Sequence, residues 1–205
     1  MHTQNREDAM TSIPDKRQGR WMLLLLVFFF SVPILAVLLM HHYNWHPQGR
    51  SHGDLIMPRA LIVPGKLMTA QGVYVAPELL KNKWSMVYVA RSCEAACEER
   101  LHIMRQLHAS FAKDISRVQR ILIASDADFK SLHQQYQDMV MLNHPENEVA
   151  ALRNQFDLEN IPAGSANRIY LVDPLGNLMM SFSDEVAPAD IRKDMTRLLA
   201  YSWAG

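Results

Sequence analysis

Twenty consecutive uncharged positions, Trp21 to Met40 ("WMLLLLVFFFSVPILAVLLM"), break the chain's pattern before any periodicity appears. At about 1.5 Å rise per residue they span about the 30 Å hydrocarbon of a bilayer, which predicts one transmembrane helix. Beyond it the apolar runs are short. "KWSMVYVA", Lys83 to Ala90, predicts a buried strand, and from Glu94 to about Lys113 the residues Leu101, Met104, Leu107, Ala109 and Phe111 recur at helical spacing. "VQRILIAS", from Val118, predicts a second buried strand, with Ser125 or Asp126 placed to cap a helix carrying Phe129, Leu132 and Tyr136. Met139 to Leu142 is a brief third strand. Pro145 falls in the first turn of a helix through Ala150, Leu152 and Phe156, where a proline loses no helical hydrogen bond. "RIYLVDPLGNLMMSF" predicts a hairpin: Pro174 presets φ, Gly176 takes the positive φ, and Asp173 and Asp184 shape the turn and its exit. A C-terminal amphipathic helix runs through Ile191, Met195, Leu198 and Leu199.

Strand, helix, strand, helix, strand, helix, hairpin, helix implies an α/β domain: a mixed sheet with parallel βαβ units, an antiparallel edge and helices on its faces. The organisation read from the chain is a cytoplasmic tail (1–20), the transmembrane helix (21–40), a linker (41–54) and one domain (55–205), a common size for a single core. Lys16, Arg17 and Arg20 flank the apolar run on one side, and no Lys or Arg follows until Arg50, so the positive-inside bias puts the N-terminus in the cytoplasm and exports the domain. The run exceeds a signal-peptide core and no small-x-small cleavage pattern follows it, which favours an uncleaved anchor. Trp21, Tyr43 and Trp45 fit interfacial aromatics. His41, His42, His46 and His52 share a stretch with Pro47, Gly49 and Gly53 and read as linker.

Charge removes one class of partner. With 21 basic and 21 acidic residues the net charge is zero, so no basic field draws the protein to nucleic acid. There is no nucleophile elbow and no phosphate loop, Asp126 and Asp128 read as capping groups, and hydrolase or nucleotide chemistry is set aside.

Chemistry concentrates in "RSCEAACEER", which holds the only two cysteines, Cys93 and Cys97. They fall in the turn from the first core strand into its helix, the position at which a thioredoxin-like fold keeps redox or metal cysteines, beside helix N–H groups that favour thiolate. Residues i and i+4 on a regular helix hold their Cβ atoms about 5 to 6 Å apart, whereas a disulfide needs about 3.5 to 4.5 Å. With Cys93 just before the first turn and Cys97 within it, a disulfide can close; reduced, the same pair can clamp a soft ion such as Cu(I). Arg91 favours thiolate while Glu94, Glu98 and Glu99 oppose it, which predicts a sluggish thiol. His102, His108 and His144 read as solvated histidines, and Met104, Met179, Met180 and Met195 as packing residues.

The N-terminal anchor, "KWSMVYV" leading into Cys-x-x-x-Cys, and "IYLVDPLGN" together resemble the SCO/SenC group of thioredoxin-fold proteins. "SHGDLIMP", "CEAAC" and "IYLVDPLGNLMMSF" are similar to a branch of it, the small membrane-anchored cytochrome-oxidase-associated proteins of proteobacteria. The resemblance implies a thioredoxin-like domain in the periplasm, on the inner membrane of a Gram-negative bacterium. It also implies a role in assembling cytochrome c oxidase, with an oxidase subunit or a copper chaperone as partner and copper as cofactor or cargo. Two departures stand against the family pattern: Ser165 occupies the place of the third copper ligand, a histidine, and Glu94 follows the first cysteine where a proline is usual. A cis-proline used by disulfide reductases before the hairpin strand is also replaced, by Asn167 or its neighbours. Three readings follow for Cys93 and Cys97: an assembly factor using the pair for weak thiol redox or transient copper handling, a thiol:disulfide oxidoreductase with Cys93 as nucleophile and Cys97 as resolving thiol, or an interaction module with a structural disulfide.

Overall fold

Strands buried on both faces organise the domain. A computed structural model describes residues 16–42, 51–159 and 161–202; the tail up to residue 15 and, in the linker, Tyr43, Trp45 and His46 lie outside the described residues. The chain divides into two units, 1–49 and 50–205. In the first, helix α1 (Lys16–His42) carries the apolar run Gly19–Met40, long and apolar enough to cross a membrane. Trp21, Leu25 and Phe29 are all exposed on it, and Pro33 lies inside it without ending it.

The second unit is a mixed seven-stranded sheet in the order β1-β7-β6-β3-β4-β5-β2. Its strands are β1 (Asp54–Ala60), β2 (Met68–Thr69), β3 (Trp84–Ser92), β4 (Val118–Asp126), β5 (Met139–His144), β6 (Ile169–Val172) and β7 (Asn177–Phe182); helices α2 (Ala95–Ser110), α3 (Phe129–Gln135), α4 (Glu146–Asn154) and α5 (Pro188–Tyr201) flank them. β3, β4 and β5 are parallel neighbours, as the alternation requires. The predicted hairpin forms, with Gly176 at φ 90° and the Asp173 carboxylate accepting from the Leu175 and Asn177 amides. It does not form an edge, however: β6 pairs directly with β3, and β1, which the pattern did not announce, covers β7. "DLIMPRA" lacks alternation because nearly all of it is exposed, and Pro58 is tolerated since an edge strand leaves one side unpaired.

Alternation within each strand builds two cores. Trp84, Met86, Tyr88 and Ala90 of β3 face Leu101 and Met104 of α2 and Ile191, Met195 and Leu199 of α5. Val87 and Val89 face the opposite way, with Ile121, Ile123 and Tyr170, onto Val149 and Leu152 of α4. Each such buried aliphatic side chain contributes about 1.5 to 3 kcal/mol. Tyr170 is one of these packing groups, and burial pushes its hydroxyl up to about 12.

Local caps match the expectation at Asp128 and differ from it at Ser125, Asp126 and Pro145. Asp128 caps α3 by accepting from the Ser131 amide, while the Ser125 hydroxyl accepts from Arg153. Pro145 is the residue before α4 rather than in its first turn. The larger difference is at Ser51–Gly53, read as linker. There the buried Asp194 of α5 accepts from the His52 amide at 2.6 Å, the Gly53 amide at 3.2 Å and the Ser51 hydroxyl at 3.4 Å. The His52 ring stands between Asp194 and Asp190, at 3.2 and 3.3 Å. Only glycine fits at 53, where a Cβ would lie 2.6 Å from Phe182 Cε1. This clasp ties the start of the domain to its last helix.

Candidate functional site

β3 ends at Ser92, opposite Asp126 of β4, and the Cys93 amide donates to the Asp126 carbonyl at 2.9 Å. That bond fixes Cys93 at the C-terminal end of the parallel strands. Glu94 is extended (φ −111°, ψ −166°), and α2 starts at Ala95. Cys93 therefore stands outside the helix and Cys97 inside its first turn, the one arrangement in which this spacing closes. The two are joined by a disulfide, with Cα atoms 5.0 Å apart. Cys97 is 4% exposed and belongs to the core cluster that includes Tyr88, Ala90, Leu101 and Ile169; Cys93 is half-buried and packs against that cluster, as do Ala70, Ala127 and Phe129. A thiol from solvent thus meets Cys93 before Cys97.

Polar groups complete the surroundings. Arg91, Glu94, Glu98, Glu99, Asp126 and Asp128 are exposed. The Tyr88 hydroxyl donates to Asn167 Oδ1 at 2.9 Å, and Asn167 Nδ2 donates to Asp184 Oδ2 at 3.1 Å. Burial raises the Tyr88 pKa and Asp184 adds to it, against an opposing effect of Arg100, so the hydroxyl stays a donor. Asn167 stands two residues before β6 with φ 49°.

Of the other residues singled out from the sequence, few come to the cysteines. Ser165 is exposed in a 3-10 turn that packs on β3, its hydroxyl donating to the Pro162 carbonyl at 3.2 Å. Gly164 in the same turn approaches Arg91 so closely that a Cβ would lie 2.9 Å from Arg91 Cγ. His102 is exposed and bonds Gln106; His144 is exposed on β5. His108 is not solvated as expected: its ring is 14% exposed, bonds the Val118 carbonyl at 2.9 Å and faces Asp138 at 3.6 Å. Met104, Met180 and Met195 are core residues and Met179 is half-buried. Among the described residues no three His, Cys, Asp or Glu side chains gather as a metal site. Two sulfurs without a third donor do not fit a three-ligand copper centre. Sequence reasoning overlooked Tyr88 and Arg100, although the stripe Cys97, Leu101, Met104, Leu107 passes through Arg100.

A disulfide over a sequence separation of 4 closes a very short loop. In the chain-entropy model it contributes about 2 kcal/mol. Reduction of the full-length protein in detergent is therefore expected to lower its unfolding free energy by no more than about 2 kcal/mol, with the far-UV circular dichroism unchanged. Loss of secondary structure on reduction would instead identify the bond as a staple.

Solved structures share the fold of the second unit. Bradyrhizobium japonicum ScoI with copper bound superposes with a TM-score of 0.53 at 20% identity, over 67% of this chain and 99% of that one. BsSco, described as a member of the Sco family of cytochrome c oxidase assembly proteins with a disulfide switch, gives 0.51 at 17% identity, over 73% and 99%. A thiol:disulfide interchange protein from Bacteroides sp. gives 0.51 at 15% identity, over 70% and 91%. At these identities the likeness is one of fold. No curated protein matches by sequence. The model of the family described as transmembrane-like, thioredoxin-like, C-terminal domain matches residues 84–202, more than half of the chain, and the chain belongs to that family.

Proposed function

We propose that this chain is a membrane-anchored SCO-like assembly factor for cytochrome c oxidase, whose Cys93–Cys97 pair exchanges its disulfide with cysteines of an oxidase subunit or a copper chaperone. The observation that carries the reading is the bonded pair at the strand-to-helix turn, accessible at Cys93 and buried at Cys97. Its fold is shared with Sco proteins and with a thiol:disulfide interchange protein. Lys16, Arg17 and Arg20 before the apolar helix support a cytoplasmic N-terminus and a periplasmic domain on the bacterial inner membrane, a compartment in which disulfides persist. The donor set favours thiol exchange over copper holding, since Ser165 offers no soft third ligand.

A deletion strain tests the assembly role. Cytochrome c oxidase activity is expected to fall on deletion, to return with the wild-type gene, and to stay low with the Cys93→Ser, Cys97→Ser double variant at equal protein level. Full activity in the deletion strain overturns the proposal. A reduction potential below about −300 mV would mark the disulfide as inert and leave an interaction module.

A further inference from the structure

Three arginines of the domain have an aspartate beside them: Arg117, Arg120 and Arg168 pair with Asp114, Asp138 and Asp54. Arg91 and Arg153 make no ion pair among the described residues, yet the fold brings these two together. Three placements converge on this. In the β3–β4 register Ala90 faces Ala124 and Ser92 faces Asp126, which sets Arg91 beside Ser125 on neighbouring parallel strands. Both continue the strand face that carries Val87, Val89, Ile121 and Ile123. From α4, which packs on that face through Val149 and Leu152, Arg153 Nη1 donates to Ser125 Oγ at 2.7 Å. The third placement is Gly164, where a Cβ would lie 2.9 Å from Arg91 Cγ and 3.3 Å from Arg153 Cδ. Both stems therefore lie against the same glycine. The guanidinium carbon is two bonds beyond Cδ and three beyond Cγ, so both charged ends stay beside this turn.

The crevice is rich in donors and poor in acceptors. Arg153 gives one N–H to Ser125, and Ser125, having accepted it, still has a hydroxyl proton to donate. Arg91 is exposed while Ser125 and Arg153 are half-buried, so a ligand can enter from solvent. The nearby acids are engaged or turned away: Asp157 Oδ1 accepts from the Ala163 amide at 2.7 Å, and Asp126, next after Ser125, alternates to the opposite face of the strand. Two like charges side by side repel unless an anion lies with them. The place is also one that open α/β sheets use for ligands, the carboxyl ends of parallel strands. Two guanidinium forks and a hydroxyl match a tetrahedral oxyanion, since each fork can take two oxygens. Their two charges match a dianion better than a carboxylate or a phosphodiester, which carries one.

We infer that Arg91, Arg153 and Ser125 form a binding site for a phosphate-type dianion, inorganic phosphate or a phosphate monoester, beside the Gly164 turn. Glycine at 164 lets that turn close on both arginine stems. The site lies on the sheet face opposite the core that holds Cys97, and it does not depend on thiol exchange.

Calorimetric titration of inorganic phosphate into the full-length protein tests this, in a non-ionic detergent at constant ionic strength and about pH 8, above the second ionisation of phosphate. One saturable site with a Kd of about 1 mM or lower is expected. Acetate, with one charge, should bind about tenfold more weakly or worse. Arg91→Gln and Arg153→Gln are each expected to weaken phosphate about tenfold, the loss of one charge-assisted contact. Methyl phosphate separates the two sources: equal affinity extends the site to monoesters, affinity for the free ion alone assigns it to inorganic phosphate, and either upholds the dianion site. Absence of saturable phosphate binding to the wild type overturns the inference, and this arm needs no variant to fold. Equal affinity for phosphate and acetate also overturns it, as does phosphate binding unchanged in both glutamine variants, which would put the ion elsewhere.

Discussion

Asp138→Asn is expected to lower the unfolding free energy by about 3 kcal/mol, whereas Arg120→Met leaves it within about 1 kcal/mol or raises it. Arg120 lies in β4, 1% exposed, its Nη2 donating to Asp138 and its guanidinium 6.0 Å from the Tyr136 ring centre. Its Nε and Nη1 have no partner, so Asp138 is what compensates the charge. Taking the carboxylate away strands a buried cation; taking the cation away leaves an apolar side chain in an apolar setting and an aspartate free to hydrate. Burial alone would raise the Asp138 pKa, but the hydrogen bond and charge of Arg120 outweigh it, with His108 adding to them, and hold it below the ordinary 3.8. A lowered folded-state pKa stabilises above the unfolded value and ceases to as pH falls through the folded one. The penalty of Asp138→Asn should therefore be complete at neutral pH and shrink below about pH 4. Urea unfolding of both variants at pH 7 and pH 3.5 checks this; an Asp138→Asn protein as stable as wild type at pH 7 would contradict it.

Asp194→Ala is expected to cost a similar amount, about 3 kcal/mol, and to release Ser51–Gly53 from α5. The carboxylate is 4% exposed and accepts from two backbone amides. Its removal leaves the buried Gly53 amide and the part-buried His52 amide without their acceptor and the His52 ring with Asp190 alone. Here too burial would raise the pKa, and the His52 amide, the His52 ring and the Gly53 amide outweigh it, so the group titrates below the ordinary 3.8. This contribution is present above that value and is lost as pH falls through the folded one. Limited proteolysis reports it directly: cleavage between residues 50 and 54 should appear in Asp194→Ala at neutral pH and not in the wild type. Unchanged stability together with continued protection of this segment would show that the clasp carries no load.

Elements that bury whole faces were legible in the chain. β3 and β4 are continuous apolar runs because both of their sides are covered. The hairpin was legible because Pro174 and Gly176 impose the turn locally. β1 was not, since an edge strand owes its place to backbone pairing with β7 and leaves Leu55 and Met57 exposed. His52 and Gly53 looked like linker for a related reason: the partner that orders them, Asp194, is 142 and 141 residues away.

The candidate site divides in the same way. The sequence by itself determined that two cysteines stand at a strand-to-helix turn, because local periodicity places the strand before them and the helix after. It also determined that position 165, where the resemblance to the SCO group led to the expectation of a histidine ligand, holds a serine. Only the tertiary structure decided that Cys93 stays partly accessible while Cys97 is closed in, that Tyr88 holds the Asn167 loop, and that most of the Arg100 side chain is covered. An arginine three residues along a helix reads as solvated surface until another layer covers it. Burial depends on which elements pack together, and that packing is a property of the assembled sheet and helices rather than of any stretch of chain.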